Sequence, residues 1–247
     1  MATRSARGQM ARAKFDYCLA YAGLGCTRNR RLTDYAKEFY PTDSARLHDL
    51  LGAPKEDGKT KRVCDVGCGY GNAASDLRAM GFTVAAIDAF TRPPGAVTGA
   101  MEALPLRSNS QDRLLACVVH NYSFDKLKAL REAHRVLAPG GVAVINIHPK
   151  MPVVFKAGGR SLQVTLKDVL KFLQQQGHDL RLNEGNYGNR LTLEMRKNKP
   201  ALGLNARLTS VSLLRGSESV WLLTQLEPAC EYRTNPKTFA RLEKFVN

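Results

Sequence analysis

Three glycines stand at alternate positions in the stretch Val63-Cys64-Asp65-Val66-Gly67-Cys68-Gly69-Tyr70-Gly71, between a short β-branched run and a helical stretch. Without side chains over its backbone, such a loop lets a ligand reach the N–H groups at a helix N-terminus. This is a nucleotide-type site. A dinucleotide fingerprint has the spacing GxGxxG, and its third glycine would fall at Asn72; here the spacing is GxGxG, with Asp65 two residues ahead of the first glycine. NAD is therefore a minor alternative. Asp88, at the end of the next apolar run, suits a carboxylate that accepts both hydroxyls of an adenosine ribose, and its charge argues against a 2′-phosphate.

The elements that would hold these residues alternate along the chain. Arg62 to Val66 reads as a strand, Asn72 to Met80 as a helix closed by Gly81, and Phe82 to Ile87 as a second strand ending at Asp88. Ala96 to Gly99 is a short third strand. Leu114 to Val119 suits a strand buried on both faces. Leu127, Leu130, Ala133 and Leu137 mark a helix stopped by Pro139-Gly140-Gly141, before a strand from Val142 to Ile147. This alternation predicts an α/β fold with a doubly wound parallel sheet. A capped helix from Thr165 to Gln176 follows, then two strands, Leu180–Leu182 and Leu191–Met195, paired antiparallel around a turn-rich segment. At the front, Asp34 to Leu51 has helical spacing and Lys55 to Arg62 reads as a linker. At the end, Leu208–Leu214 and Ser219–Leu226 suggest a hairpin, and Asn235-Pro236 caps a terminal helix. The expected division is a basic helical extension or lid over 1–58, a ligand-binding core over 59–197 and a hairpin-and-helix appendage over 198–247.

The chain has 247 residues, 44% of them apolar, which places it in the globular class. No apolar run reaches the roughly 18 residues of a membrane-spanning helix, so no integral membrane association is expected. Its 37 Lys and Arg against 22 Asp and Glu give a net charge of +15, which favours a polyanionic partner such as RNA, DNA or an acidic membrane surface. Arg4, Arg7, Arg12, Lys14, Arg28, Arg30 and Arg31 are opposed over the first 31 residues only by Asp16, and are candidate phosphate contacts. The same basic front also reads as an organellar presequence or a solvated helix. The six cysteines show no CxxC pair and no clustering with the five histidines; no metal site is expected, and a reducing intracellular compartment, cytoplasmic or mitochondrial, is.

Four segments together resemble the class I S-adenosylmethionine-dependent methyltransferases, especially the branch of quinone-biosynthesis and tRNA wobble-uridine enzymes. Asp65-x-Gly67-Cys68-Gly69-x-Gly71 looks like the first motif and Asp88 like the second. Gly99-Ala100-Met101-Glu102-Ala103-Leu104-Pro105-Leu106 is similar to the GDAExLPF segment, and Arg135-Val136-Leu137-Ala138-Pro139-Gly140-Gly141 to RvLkPGG. The resemblance covers residues 62 to 148. It implies a Rossmann-like, mostly parallel seven-stranded sheet with an antiparallel last strand, and S-adenosylmethionine as cofactor. Carried over, Gly67, Cys68, Gly69 and Gly71 border the methionine part, Asp65 helps hold its ammonium group, Asp88 takes the ribose, and Met101 and Glu102 lie beside the adenine. Ala100 departs from the pattern: the family often has an Asp there that hydrogen-bonds the adenine amino group, a bond worth about 1.5–3 kcal/mol.

In this family the acceptor faces the carboxyl end of the fourth strand, here His120-Asn121-Tyr122-Ser123, which resembles the His-rich segment of the same branch. His120, Asn121 and Tyr122 are the catalytic candidates, with His120 also beside the cofactor. At an unperturbed pKa of roughly 6.5, His120 could orient or deprotonate an acceptor, or simply be hydrogen-bonded at a strand end. Cys117 reads as core. The leading expectation is a methyltransferase acting on rRNA or tRNA; a small-molecule enzyme of the quinone type and a non-catalytic RNA-assembly factor are the alternatives.

Overall fold

Val63, Cys64, Asp65 and Val66 are all buried, which a strand achieves only when both faces of its sheet are covered. The computed structural model describes residues 31–89, 93–117, 119–123, 125–184, 191–215 and 226–247. Over these the chain runs α1 (Leu32–Phe39), α2 (Ala45–Leu51), β1 (Lys55–Glu56), β2 (Lys59–Thr60), β3 (Arg62–Val66), α3 (Asn72–Ala79), β4 (Thr83–Asp88), β5 (Ala96–Thr98) and β6 (Gln111–Ala116). A 3-10 turn (Val119–Tyr122) leads into α4 (Lys126–Val136), β7 (Leu137–Ile147), β8 (Pro152–Ala157), β9 (Arg160–Thr165) and α5 (Leu166–Gln175). The chain ends with β10 (Asp179–Glu184), β11 (Leu191–Arg196), β12 (Ala206–Arg215), β13 (Leu226–Thr234) and α6 (Pro236–Val246).

The central sheet has seven strands in the order β10-β11-β7-β6-β3-β4-β5. Strands β5, β4, β3, β6 and β7 are mutually parallel, and β11 enters antiparallel between β7 and β10. This is the doubly wound, mostly parallel arrangement expected. Its parallel strands all end on one side, where ligands bind in open α/β sheets.

Several local expectations change. The helical segment 34–51 is two helices, because Pro41 cannot continue α1. The linker is a small hairpin, β1 against β2, turned by Asp57 and Gly58 at φ 52° and 73°. Leu137, expected in the helix, already pairs with Gln111, and Pro139-Gly140-Gly141 forms an irregularity inside β7 rather than a boundary before it.

The larger difference is a second sheet, of four strands in the order β12-β13-β8-β9. β8 and β9 lie inside the region expected to be core, and β13 pairs with β8 in parallel, Cys230 opposite Val153 and Tyr232 opposite Phe155. The second strand of the C-terminal hairpin is therefore 226–234; the expected stretch 219–226 lies, up to residue 225, outside the described residues. Val153, Phe155 and Ala157 face inward, Tyr232 stacks on Phe155 at 5.8 Å, and both join the same core cluster as Ile145 and Leu170. Phe155→Ala should lower the unfolding free energy by about 3–5 kcal/mol in denaturant titration, whereas Gln163→Ala on the outward face of β9 should change it by less than about 0.5 kcal/mol. Equal effects would mean that this face is not core.

Candidate functional site

The turn after β3 is built by what its glycines lack. Gly67, Gly69 and Gly71 hold φ of 73°, 54° and 79°, a left-handed conformation that costs other residues roughly 1–2 kcal/mol. The Gly67 and Cys68 amides both donate to the Ile87 carbonyl of β4, at 2.7 and 3.1 Å. A Cβ at Gly67 would lie 2.8 Å from the Cβ of Val119, and one at Gly71 would lie 3.2 Å from Pro93 Cγ. Beyond Gly69 there is open space. Crowding by a side chain there would thus fall on a ligand and not on the protein. The Gly69 amide donates to Asp88 Oδ2 at 2.9 Å, so loop and carboxylate form one unit.

Asp65 lies beneath that unit with no exposed surface, and neither of its oxygens has a well-formed hydrogen bond among the described residues. Burial pushes its pKa up to about 7; the Tyr35 hydroxyl pulls it down, the Asp88 charge adds to the rise, and Arg78 and the Ala74 amide oppose it weakly. Two carboxyl groups near adjacent strand ends, one of them buried and only weakly compensated, make this edge receptive to a cation. A sulfonium ligand with an ammonium group fits that requirement. Because Asp65 is sealed off, its influence on such a ligand would be exerted through its field and not through direct contact. Cys68 is a neutral thiol, its pKa raised to about 12 by burial and then by the two aspartates.

Met101 is buried in the main core, while Glu102 is half-buried. The segment they belong to is fixed by an ion pair that sequence reading did not single out. Arg135 forks onto Glu132 at 2.8 Å and also donates to the Leu104 and Leu106 carbonyls, while Glu132 accepts the Leu104 amide. The arginine of the RvLkPGG-like stretch thus holds the loop of the GDAExLPF-like one.

At the end of β6, His120 is fully buried. Its Nε2 meets the Lys126 carbonyl at 3.2 Å, and Lys126, equally buried, donates Nζ to the His120 carbonyl at 2.9 Å. Burial and the Lys126 charge lower the His120 pKa to about 3. A ring this weakly basic and closed off is a poor proton acceptor at pH 7. As placed, His120 holds the turn, and its expected roles beside acceptor and cofactor are not evident from its contacts. Asn121 and Tyr122 lie on the same 3-10 turn; their side chains are outside the described set. Cys117 Sγ donates to Asn146 Oδ1 at 3.3 Å, Asn146 Nδ2 donates to Thr192, and Thr192 donates to the Phe39 carbonyl, a buried chain consistent with a core cysteine.

Of the basic front, Arg4, Arg7, Arg12, Lys14, Arg28 and Arg30 lie outside the described residues. Arg31 is engaged: it pairs with Asp76 at 2.6 Å, and its amide donates to Asp34 at the start of α1. Among the described residues no group of His, Cys, Asp or Glu is arranged to hold a metal ion. Among the described residues no helix is long and apolar enough to cross a membrane.

The glycine turn separates two effects. Gly67→Ala should cost stability through both its positive φ and the clash with Val119, at least about 2 kcal/mol, whereas Gly69→Ala should cost only the strain of about 1–2 kcal/mol. Thermal unfolding of both variants checks the order; a Gly69 variant less stable than the Gly67 one would place the tight approach elsewhere.

No curated protein matches the chain. Among solved structures it is similar to a 1,6-didemethyltoxoflavin-N1-methyltransferase from Burkholderia thailandensis, with 18% identity, a TM-score of 0.51, and coverage of 81% of this chain and 93% of that one. It is also similar to an S-adenosylmethionine-dependent methyltransferase from Mesorhizobium loti, with 17% identity, a TM-score of 0.43, and coverage of 62% and 97%. Residues 64–145 match the family described as a methyltransferase domain, a span that runs from the glycine loop to the middle of β7. Residues 64–145 of the chain thus match a methyltransferase domain, and its fold is similar to that of the Burkholderia enzyme.

Proposed function

We propose that this protein transfers the methyl group of S-adenosylmethionine to RNA. The observation that supports the cofactor half is the joined unit of open glycine loop and Asp88, set over the buried charge of Asp65. The RNA half rests on the net charge of +15. When bound, the cofactor supplies a methyl group on a sulfonium, and transfer is an in-line displacement in which positioning accounts for much of the rate.

In this reading the Gly67–Gly71 backbone borders the methionine part, Asp88 accepts the ribose hydroxyls, and the segment from Met101 to Glu102 flanks the adenine. The 119–122 turn faces the acceptor. Since His120 is neutral and buried, Asn121 and Tyr122 are the acceptor-side candidates on that turn. Asp88→Ala should weaken S-adenosylmethionine binding about tenfold or more in calorimetric titration, with circular dichroism unchanged, because each bond to the carboxylate is worth about 1.5–3 kcal/mol. Undiminished affinity would take Asp88 out of the site.

The acceptor is tested by nucleoside mass spectrometry of total RNA from cells lacking the protein. Loss of one methylated nucleoside supports the proposal. Unchanged RNA with an accumulated demethyl metabolite points instead to a small-molecule acceptor, and absence of any cofactor-binding heat to a non-catalytic factor.

A further inference from the structure

The opposite end of the central sheet, where its parallel strands begin, holds a polar cavity of about 280 Å³. The strand register makes it. Arg113 of β6 lies opposite Val142 of β7, Val142 opposite Arg196 of β11, and Arg196 opposite Asp179 of β10. Two arginines thus flank one valine in a single row, and the neighbouring row pairs Arg181 with Glu194. Helix α2 closes the cavity with Arg46 and Asp49.

The four arginines are not equally satisfied. Arg46 forks onto Glu194 at 3.1 and 2.8 Å, and Glu194 further accepts from Tyr40 and Asn183, so that pair is complete. Arg196 meets Asp179 only loosely, at 3.7 Å, and donates to the Gly140 carbonyl at 3.2 Å. Arg113 donates to the Leu50 and Asp112 carbonyls and forms no ion pair among the described residues, although it is half-buried. Burial, and then the charge of Arg196, depress its pKa. Arg181 is exposed and makes no hydrogen bond or ion pair among the described residues. Arg113 and Arg196 stand two strands apart in one row with only Val142 between them, and Arg113 is partly withdrawn from the water that would screen their repulsion. An oxyanion between them would relieve the repulsion, and planar guanidinium forks match phosphate oxygens.

We propose that this cavity is a phosphate-binding site, with Arg113, Arg181 and Arg196 as its donors, at the far end of the sheet from the cofactor loop. The phosphate is either a group of an RNA backbone or a free small phosphate. The proposal is independent of the methyl-transfer reading.

Calorimetric titration of the full chain with inorganic phosphate tests it, and reads out whether or not S-adenosylmethionine binds. Wild type should bind phosphate, and Arg113→Gln and Arg181→Gln should each weaken it about tenfold. Because Arg113 also holds the Leu50 carbonyl, Arg181→Gln is the variant expected to melt like wild type. A titration with a short single-stranded RNA then separates the sources. Parallel weakening of RNA and phosphate supports a backbone phosphate, and weakening of phosphate alone supports a small ligand. No phosphate binding by wild type, or undiminished binding by Arg181→Gln, would overturn the site.

Discussion

The cofactor end depends on the absence of one side chain, at Gly67. Three segments converge there: the end of β3, the Ile87 carbonyl of β4, and Val119 just after β6. A Cβ would have to share space with Val119, and backbone strain would be added to the overlap. The approach aligns the strand ends so that Asp65 lies opposite Ala86, two residues short of Asp88, and the Gly69 amide reaches Asp88. The fold itself thereby holds a bare backbone and two carboxylates in place at this strand end.

Charge burial is the second constraint. Asp65 and Glu194 both lie in the sheet below solvent, but they are treated differently. Glu194 accepts from Tyr40, Arg46 and Asn183, and hydrogen bonding by Arg46 and Tyr40 outweighs burial in holding its pKa below the ordinary value. The partly buried Arg46 and the Tyr40 hydroxyl, both on Glu194, fasten the N-terminal helices to the sheet. Asp65 is left without comparable partners, under Tyr35 of α1. The N-terminal helices thus stabilise one end of the domain while sealing in the weakly compensated carboxyl of Asp65 at the other. Asp76 of α3 completes the attachment by taking Arg31 and the Leu32 amide.

The C-terminal strands brace the start of α4 and, through it, the 119–122 turn. The Tyr232 hydroxyl of β13 bridges the Asp125 carboxylate and the Leu127 amide at the start of α4. Lys126, between them, reaches the His120 carbonyl. Chain far beyond the matched domain therefore sets the height and angle of the 119–122 turn. The buried lysine and histidine hold each other's backbone carbonyls, and neither can be withdrawn without orphaning a polar group in the interior.

The glycine loop, Asp88, the β-α alternation and the capped α5 were legible in the sequence because each rests on local physics: a φ that only glycine adopts cheaply, a period, a cap within one turn. Gly158-Gly159, between two alternating runs, was a hairpin signal of the same kind that went unread. The parallel pairing of β13 with β8 was not legible, since Cys230 and Val153 are joined only by hydrogen bonds across space and nothing in either segment names its partner. His120 shows the same division. Its residue type announced a group that titrates near neutrality, but its pKa is set by the absence of water and the presence of Lys126, both products of packing. The sequence by itself determined which strand ends could bind a nucleotide-type ligand and which backbone would lie bare there. Only the tertiary structure decided which charges are paired, which are sealed in and which face one another across a cavity, because the energy of a charge depends on the medium and neighbours around it.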